Sequence, residues 1–321
     1  MQSFKELSAA FEAQFNKRHF PAEPQTLYDA AQYILQIPGK RVRPVAVLMG
    51  NELFNDIDAD AYHVANAIEL FHNFSLIHDD IMDKAPLRRG IPTVHTQYGD
   101  SSALLAGDVM LVAAYEYLTQ IKPQHLVAVL QLFNRTSKQV CEGQQMDMDF
   151  EQRETVSLEE YLEMITLKTS VLLAASLQLG AIIGGARGNS QQHLYEFGKN
   201  LGIAFQVQDD YLDCFGDPEK FGKQIGGDIL ANKKTFLMIR TLEVADAGQK
   251  SELESLLAGN ATDKVTKVLQ LFKACKADEW ANSLKEKYYN LAMQNLDDLA
   301  VLANRKEELQ KLAMYLLQRE H

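Results

Sequence analysis

The sequence predicts an all-α protein, and three observations carry the prediction. All eight prolines, at 21, 24, 38, 44, 86, 92, 123 and 218, fall where helical patterns start or stop, so 124–217 and 219–321 run without one. The segments "AYHVANAIELFHNFSLIHDD" and "LYEFGKNLGIAFQVQDDYLDCF" carry apolar residues at three- and four-residue spacing on more than one face, the mark of helices buried inside a bundle. No alternating apolar run bounded by hairpin turns stands out, and no internal repeat divides the chain.

In chain order, "MQSFKELSAAFEAQFNKRHF" opens as an amphipathic, charged helix without a continuous apolar stretch. Breaks between helices are expected near Pro38-Gly39, from Lys84 to Pro92, from Gly184 to Asn189, from Gly216 to Gly227 and near Gly248. None is rich enough in Gly, Ser or Pro to serve as a linker, so one domain over 1–321 is expected. With 321 residues, 46% of them hydrophobic, the chain can enclose a large core. An odd set of three cysteines (Cys141, Cys214, Cys275) with no CxxC pair fits a reducing compartment, and the expected location is the cytoplasm. No run of about 18 apolar residues occurs, so no stable membrane insertion is expected. A net charge of -11 argues against a nucleic-acid surface, and any anion must be captured by local basic residues.

The chemistry concentrates in "SLIHDDIMDKAPLRRG", where Asp79, Asp80 and Asp83 form DDxxD. On a helix Asp79 and Asp83 stand at i and i+4 on one face and repel each other unless a cation intervenes. "FQVQDDYLD" repeats the arrangement with Asp209, Asp210 and Asp213. A single copy is ordinarily a solvated acidic helix end; two copies, each continuing an apolar helix, make a set of hard oxygen ligands suited to Mg²⁺ shared with a substrate phosphate. Arg88 and Arg89 follow the first motif, where guanidinium forks can take phosphate oxygens in pairs. Upstream, "PGKRVRP" supplies Lys40, Arg41 and Arg43, and His72 lies seven residues before Asp79, close to its helical face. Downstream, "LKTS" carries Lys168 and Thr169, and "FGKQIGGDILANKKT" carries Lys223 and Lys233 beside glycines that let a loop close. The pattern predicts two anion sites around one metal cluster.

In these motifs and their order, from "GKRVRP" through "HDDIMD", "RRG", "GQQMD", "KTS" and "FQVQDDYLD" to "GGDILANKKT", the chain resembles the trans-type isoprenyl diphosphate synthases. The resemblance implies a single-domain bundle of ten or more helices around a central cavity, the isoprenoid synthase type I fold, assembled as a homodimer. It implies a Mg²⁺-dependent prenyltransferase that condenses isopentenyl diphosphate with allylic diphosphates (dimethylallyl, geranyl, farnesyl). Asp79, Asp83 and Asp209 would hold the metal, three ions with bound diphosphate, supported by Asp80, Asp210 and Asp213. Arg88, Lys168 and Lys233 would hold the allylic diphosphate, with Lys223 closing over it, and Lys40, Arg43, His72 and Arg89 would hold isopentenyl diphosphate. Thr169 and Gln206 would set oxygen dipoles near the developing cation. Pro38 replaces the glycine that commonly precedes GKR in the family, and "LLQREH" lacks the basic tail of some relatives.

In that family the product grows beside the first metal helix, over a floor set one to two turns before DDxxD. Here the floor residues are Phe74, with the small Ser75 beside it, and Phe71, with Met110, Tyr115 and Tyr117 of the next helix as further candidates. One aromatic beside a small residue favours a C20 product, geranylgeranyl diphosphate, over the C15 alternative, farnesyl diphosphate. A class I terpene cyclase would need neither the second DDxxD nor the Lys40, Arg43, His72 group, a head-to-head synthase would carry DxxxD motifs, and a non-catalytic partner subunit would tend to lose one acidic motif.

Overall fold

The computed structural model describes residues 1–216, 225–259 and 262–317. The all-α expectation is met: among the described residues the regular structure is helical apart from one two-stranded ribbon. Helix α1 (Phe4–Phe15) starts at a capping box in which Ser3 and Glu6 satisfy each other's backbone N–H groups, and it buries Leu7, Phe11 and Phe15 at four-residue spacing. Helices α2 (Gln25–Leu35) and α3 (Val42–Glu52) flank the Pro38-Gly39 break, and α4 (Ala59–Met82), capped by Asp58, delivers the first acidic motif at its C-terminal end.

A finding the sequence did not anticipate follows α4. Leu87–Arg88 (β1) and Ile91–Pro92 (β2) pair antiparallel, joined by Arg89 and Gly90 with φ of 54° and 76°. Two consecutive positive φ values make the tight hairpin turn whose twist matches that of paired strands. Strands of two residues are too short to show alternation. Helices α5 (Val94–Tyr98), α6 (Asp100–Leu118), α7 (Pro123–Glu151) and α8 (Leu158–Ile165) come next. A π-turn, Thr166–Ser170, leads into α9 (Val171–Ile183), and α10 (Gly188–Phe215) carries the second acidic motif. Past the gap in description lie α11 (Gly227–Leu230), α12 (Phe236–Val244), α13 (Ala247–Ala258), α14 (Lys264–Ala274), α15 (Ala277–Asp297) and α16 (Ala303–Leu317).

The described residues cluster into two units. The first comprises 1–137, 172–195 and 298–309; in it α4 packs extensively against α6 and α3. Its N-terminal half of α4 is buried on nearly every face (Val64, Ala65, Ala67, Ile68, Leu70, Phe71), as the unbroken apolar pattern predicts. The second comprises the described residues of 138–171, 196–297 and 310–317, and its core joins Phe150, Tyr161, Ile203, Val207, Phe236 and Phe272.

Candidate active site

In the first unit the end of α4 exposes its acids in graded fashion. Asp80 is buried, Asp79 partly so, and Asp83 lies exposed at the C-cap. A buried carboxylate needs a partner, and Arg88 provides it: folded back by the hairpin, its Nε and Nη2 donate to Asp80 Oδ2 and Oδ1 at 2.9 and 2.8 Å, with Asp79 Oδ2 at 3.9 Å. Cations and anions gather here in part because the Arg88 guanidinium neutralises the buried Asp80 carboxylate.

The basic triplet separates. Arg41 turns inward to a buried ion pair with Glu69, donates to Leu35 O at 2.8 Å and lies over the Phe15 ring. Asn73 adds a hydrogen bond to the same Glu69 carboxylate. Arg41 is therefore a tie within the core. Arg43 instead donates from Nη1 to His72 Nε2 at 3.2 Å. Burial, then the Arg43 charge, holds His72 well below its usual pKa, so the ring stays neutral and can accept. Arg89 donates from Nη1 to the Pro38 carbonyl, and a β-carbon on Gly39 would stand 2.6 Å from that nitrogen. The turn bearing Arg89 and the loop bearing Lys40 are thereby joined.

Below Asp79 the rings interlock. Phe71 lies 5.5 Å from Phe74 and 5.4 Å from Phe133, centroid to centroid, and Phe133 lies 5.2 Å from Tyr115. Ser75 turns its hydroxyl back to the His72 carbonyl at 2.8 Å. Of the α6 candidates, Tyr115 joins this wall, Met110 is fully buried, and Tyr117 is directed elsewhere, its hydroxyl donating to His19 Nδ1 at 2.8 Å.

In the second unit a pocket of about 110 Å³ is lined by Asp147, Tyr161, Lys168, Thr169, Gln206, Asp210, Asp228 and Lys233 among others. Lys168 and Thr169 stand on the π-turn. The turn presses on α7 so closely that a β-carbon on Gly143 would lie 2.2 Å from Lys168 N. Gly143→Ala should therefore displace the turn, costing about 1 to 3 kcal/mol; a fall in Tm together with reduced turnover checks this, and unchanged values would mean that the helices slide freely.

Lys168 pairs with Asp147 at 2.5 Å. Thr169 Oγ1 donates to Gln206 Oε1 at 3.2 Å, Gln206 Nε2 to Asp210 Oδ1 at 2.9 Å, and the Tyr161 hydroxyl to Asp210 Oδ2 at 2.5 Å. Burial, then the charge of Asp228, pushes Asp210 up to about 8, while the bonds from Tyr161 and Gln206 oppose that shift. Asp209 is partly buried beside it on α10. Asp213 Oδ2 accepts from Asp228 N at 3.1 Å and so anchors α11, and Asp228 O accepts from Lys233 N at 2.9 Å. Lys223 lies outside the described residues.

Sequence reasoning assigned no role to Tyr161, Asp147 or Asp228. The last two stood inside quoted motifs, whereas Tyr161 carried no signal beyond its place in an amphipathic helix. The donors are carboxylate oxygens, of the kind that hard divalent cations take, and among the described residues no three acidic, His or Cys side chains converge on one point. Mg²⁺ takes one or two carboxylates and completes its shell with water and substrate phosphate.

A model of the polyprenyl synthetases matches residues 24–275. The chain belongs to the polyprenyl synthetase family. A relative from Methanothermobacter thermautotrophicus, a short chain isoprenyl diphosphate synthase, is 38% identical over 93% of this chain and 92% of its own. The crystal structure of a geranylgeranyl pyrophosphate synthase superposes with a TM-score of 0.95 at 41% identity over 100% of both chains. A polyprenyl synthase from Caulobacter crescentus, solved with calcium and isoprenyl diphosphate, gives 0.89 at 26% identity over 99% of this chain and 97% of that one. As a member of the polyprenyl synthetases this protein is a prenyltransferase with the isoprenoid synthase fold.

Proposed function

We propose that the protein condenses isopentenyl diphosphate with dimethylallyl, geranyl and farnesyl diphosphates, releasing all-trans geranylgeranyl diphosphate. The observation that carries this reading is the arrangement around α4: an acidic motif whose buried Asp80 is paired with Arg88, with Arg89 joined to the Lys40 loop and Arg43 to His72 beside it. An acidic motif with this much positive charge on the neighbouring segments suits a metal and two diphosphates, one more anion than a simple hydrolase or cyclase requires.

Lys40, Arg43, His72 and Arg89 bind isopentenyl diphosphate. Arg88, Lys168 and Lys233 bind the allylic diphosphate, and Lys223 closes over it. Asp79, Asp83 and Asp209, with Asp80, Asp210 and Asp213 in support, would hold Mg²⁺, three ions in number when diphosphate is bound, which would supply positive charge for the departing diphosphate. Arg88 and Lys168 exchange their carboxylate partners for phosphate oxygens as substrate arrives. The allylic C–O bond then breaks with its electron pair leaving on oxygen, the isopentenyl double bond attacks the cationic carbon, and the proton lost from the adduct passes to the released diphosphate. Thr169 and Gln206 present oxygen to the cation, and the aromatic wall excludes water.

The whole chain acts as one catalytic domain, a reading supported by the family match from 24 to 275 and by neighbours of the same length. It works as a homodimer, with Leu104, Leu105 and Val112 of α6, each half exposed or more on one face, as the apolar surface that a second copy covers. The proposed location is the cytoplasm. Among the described residues one helical stretch, Leu158–Ile183, has the length and apolarity of a membrane span, and 67% of its apolar window is buried within the protein, as in a core helix.

Incubation with Mg²⁺, isopentenyl diphosphate and each allylic primer, followed by chain-length analysis, tests the reading: C20 is the expected end product, and absence of any prenyl transfer overturns it. The two diphosphate sites separate kinetically. Arg43→Ala should raise KM for isopentenyl diphosphate about tenfold or more while KM for the allylic primer moves less than about twofold. Equal shifts would mean that the sites are exchanged or shared.

A further inference from the structure

We propose that Tyr161 is a positioning residue for this reaction: acting through Asp210, it fixes which end of the Gln206 amide faces Thr169 and the substrate pocket. The inference rests on the prenyl transfer proposed above. Tyr161 is 1% exposed, and its hydroxyl and the Gln206 amide nitrogen occupy the two oxygens of the same buried carboxylate. An amide offers two donors at nitrogen and an acceptor at oxygen, and its two ends have nearly the same shape, so only its partners decide its orientation. Thr169 cannot decide, because a hydroxyl serves either end as donor or acceptor. Asp210 can: with Oδ2 engaged by the Tyr161 hydroxyl, Oδ1 is left as an acceptor, draws the amide nitrogen toward itself and leaves Oε1 toward Thr169.

Asp210 performs this task only while its plane is held with Oδ1 toward Gln206. Tyr161 sets that plane at the other oxygen, and its ring is itself held against Phe236, centroids 6.0 Å apart. The consequence is electrostatic. As the allylic C–O bond breaks and its electron pair departs with the diphosphate, positive charge grows on carbon beside the π-turn. An amide oxygen already aimed there stabilises that charge without reorganising, whereas an amide NH₂ would oppose it.

Two variants and their combination test the relay. Tyr161→Phe keeps the ring and its packing and removes one donor; kcat is expected to fall about tenfold, with KM for the allylic diphosphate within about twofold, the sign of an interaction made in the transition state. Asp210→Asn keeps the shape but offers Gln206 an amide, which permits its reversal, and kcat should fall further, since the variant also removes a carboxylate placed in support of the metal. In the Asp210→Asn background Tyr161→Phe should add nothing, since both act through one chain. A Tyr161→Phe protein with lower Tm but wild-type kcat, or an effect that multiplies with that of Asp210→Asn, overturns the relay and leaves Tyr161 a core residue. Wild-type kcat in Asp210→Asn overturns it independently, even if the tyrosine variant fails to fold. An inactive wild-type chain would instead remove the proposed reaction itself, so the two failures are distinguishable.

Discussion

Asp79→Ala and Asp209→Ala are each expected to lower turnover by about 10³-fold or more while the protein remains folded. On the proposed reaction each variant loses a hard oxygen donor that would hold Mg²⁺ against the departing diphosphate. Stability should change by less than about 1 kcal/mol for Asp79→Ala, because its carboxylate is partly solvated and Arg88 lies 3.9 Å away, against a bidentate grip on Asp80. Removing Asp79 also relieves its repulsion with Asp83, four residues on. The decisive measurement is turnover as a function of Mg²⁺ concentration, with Tm recorded alongside. The expected curve shifts to higher metal and saturates at a lower rate. A folded variant with wild-type turnover at ordinary Mg²⁺ would remove the residue from the metal site. Asp80→Ala should behave differently: it strands Arg88 without its buried partner, so Tm falls as well as rate.

That contrast shows where sequence reasoning succeeds and where it stops. The helical class, the main breaks and the two acidic motifs were legible because each depends on local chemistry: proline placement, apolar spacing and carboxylates one turn apart. Which of three adjacent aspartates is buried was not legible, since it depends on the hairpin that turns Arg88 back onto Asp80. Arg41 and Arg43 looked equivalent in "GKRVRP", yet Arg41 takes a left-handed φ of 50° and enters the core to meet Glu69, while Arg43 reaches His72. No composition rule separates them; the partner 28 residues ahead does. Likewise Tyr161 meets Asp210 across 49 residues of sequence, and the π-turn bearing Lys168 packs against Gly143, a contact that "TLKTS" does not announce. Residues read correctly in isolation acquire their roles from segments that sequence spacing cannot bring together.

Phe74→Ala should lengthen the product. Phe74 stands about 7.5 Å along α4 from Asp79, and Phe71 about 4.5 Å farther, at 1.5 Å rise per residue. The two rings do not resist truncation equally. Phe74 is only partly buried, and the Ser75 hydroxyl beside it is already turned back to the His72 carbonyl, so removing the ring opens space at modest cost in stability. Phe71 is 1% exposed and packs against Phe133, which packs in turn against Tyr115; its removal should cost about 3 to 5 kcal/mol. A chain that passes position 74 therefore meets a second, better-supported wall. Phe74→Ala should extend the C20 product by one C5 unit, to C25, and no further. Phe74→Ala combined with Phe133→Leu, which lowers that wall while keeping its volume apolar, should release longer chains. Product lengths measured with Tm beside them separate the alternatives: a stable, active Phe74→Ala enzyme that still stops at the wild-type length would place the floor at Phe71 itself, and a wild-type product of C30 or longer would show that these rings do not bound the growing chain at all.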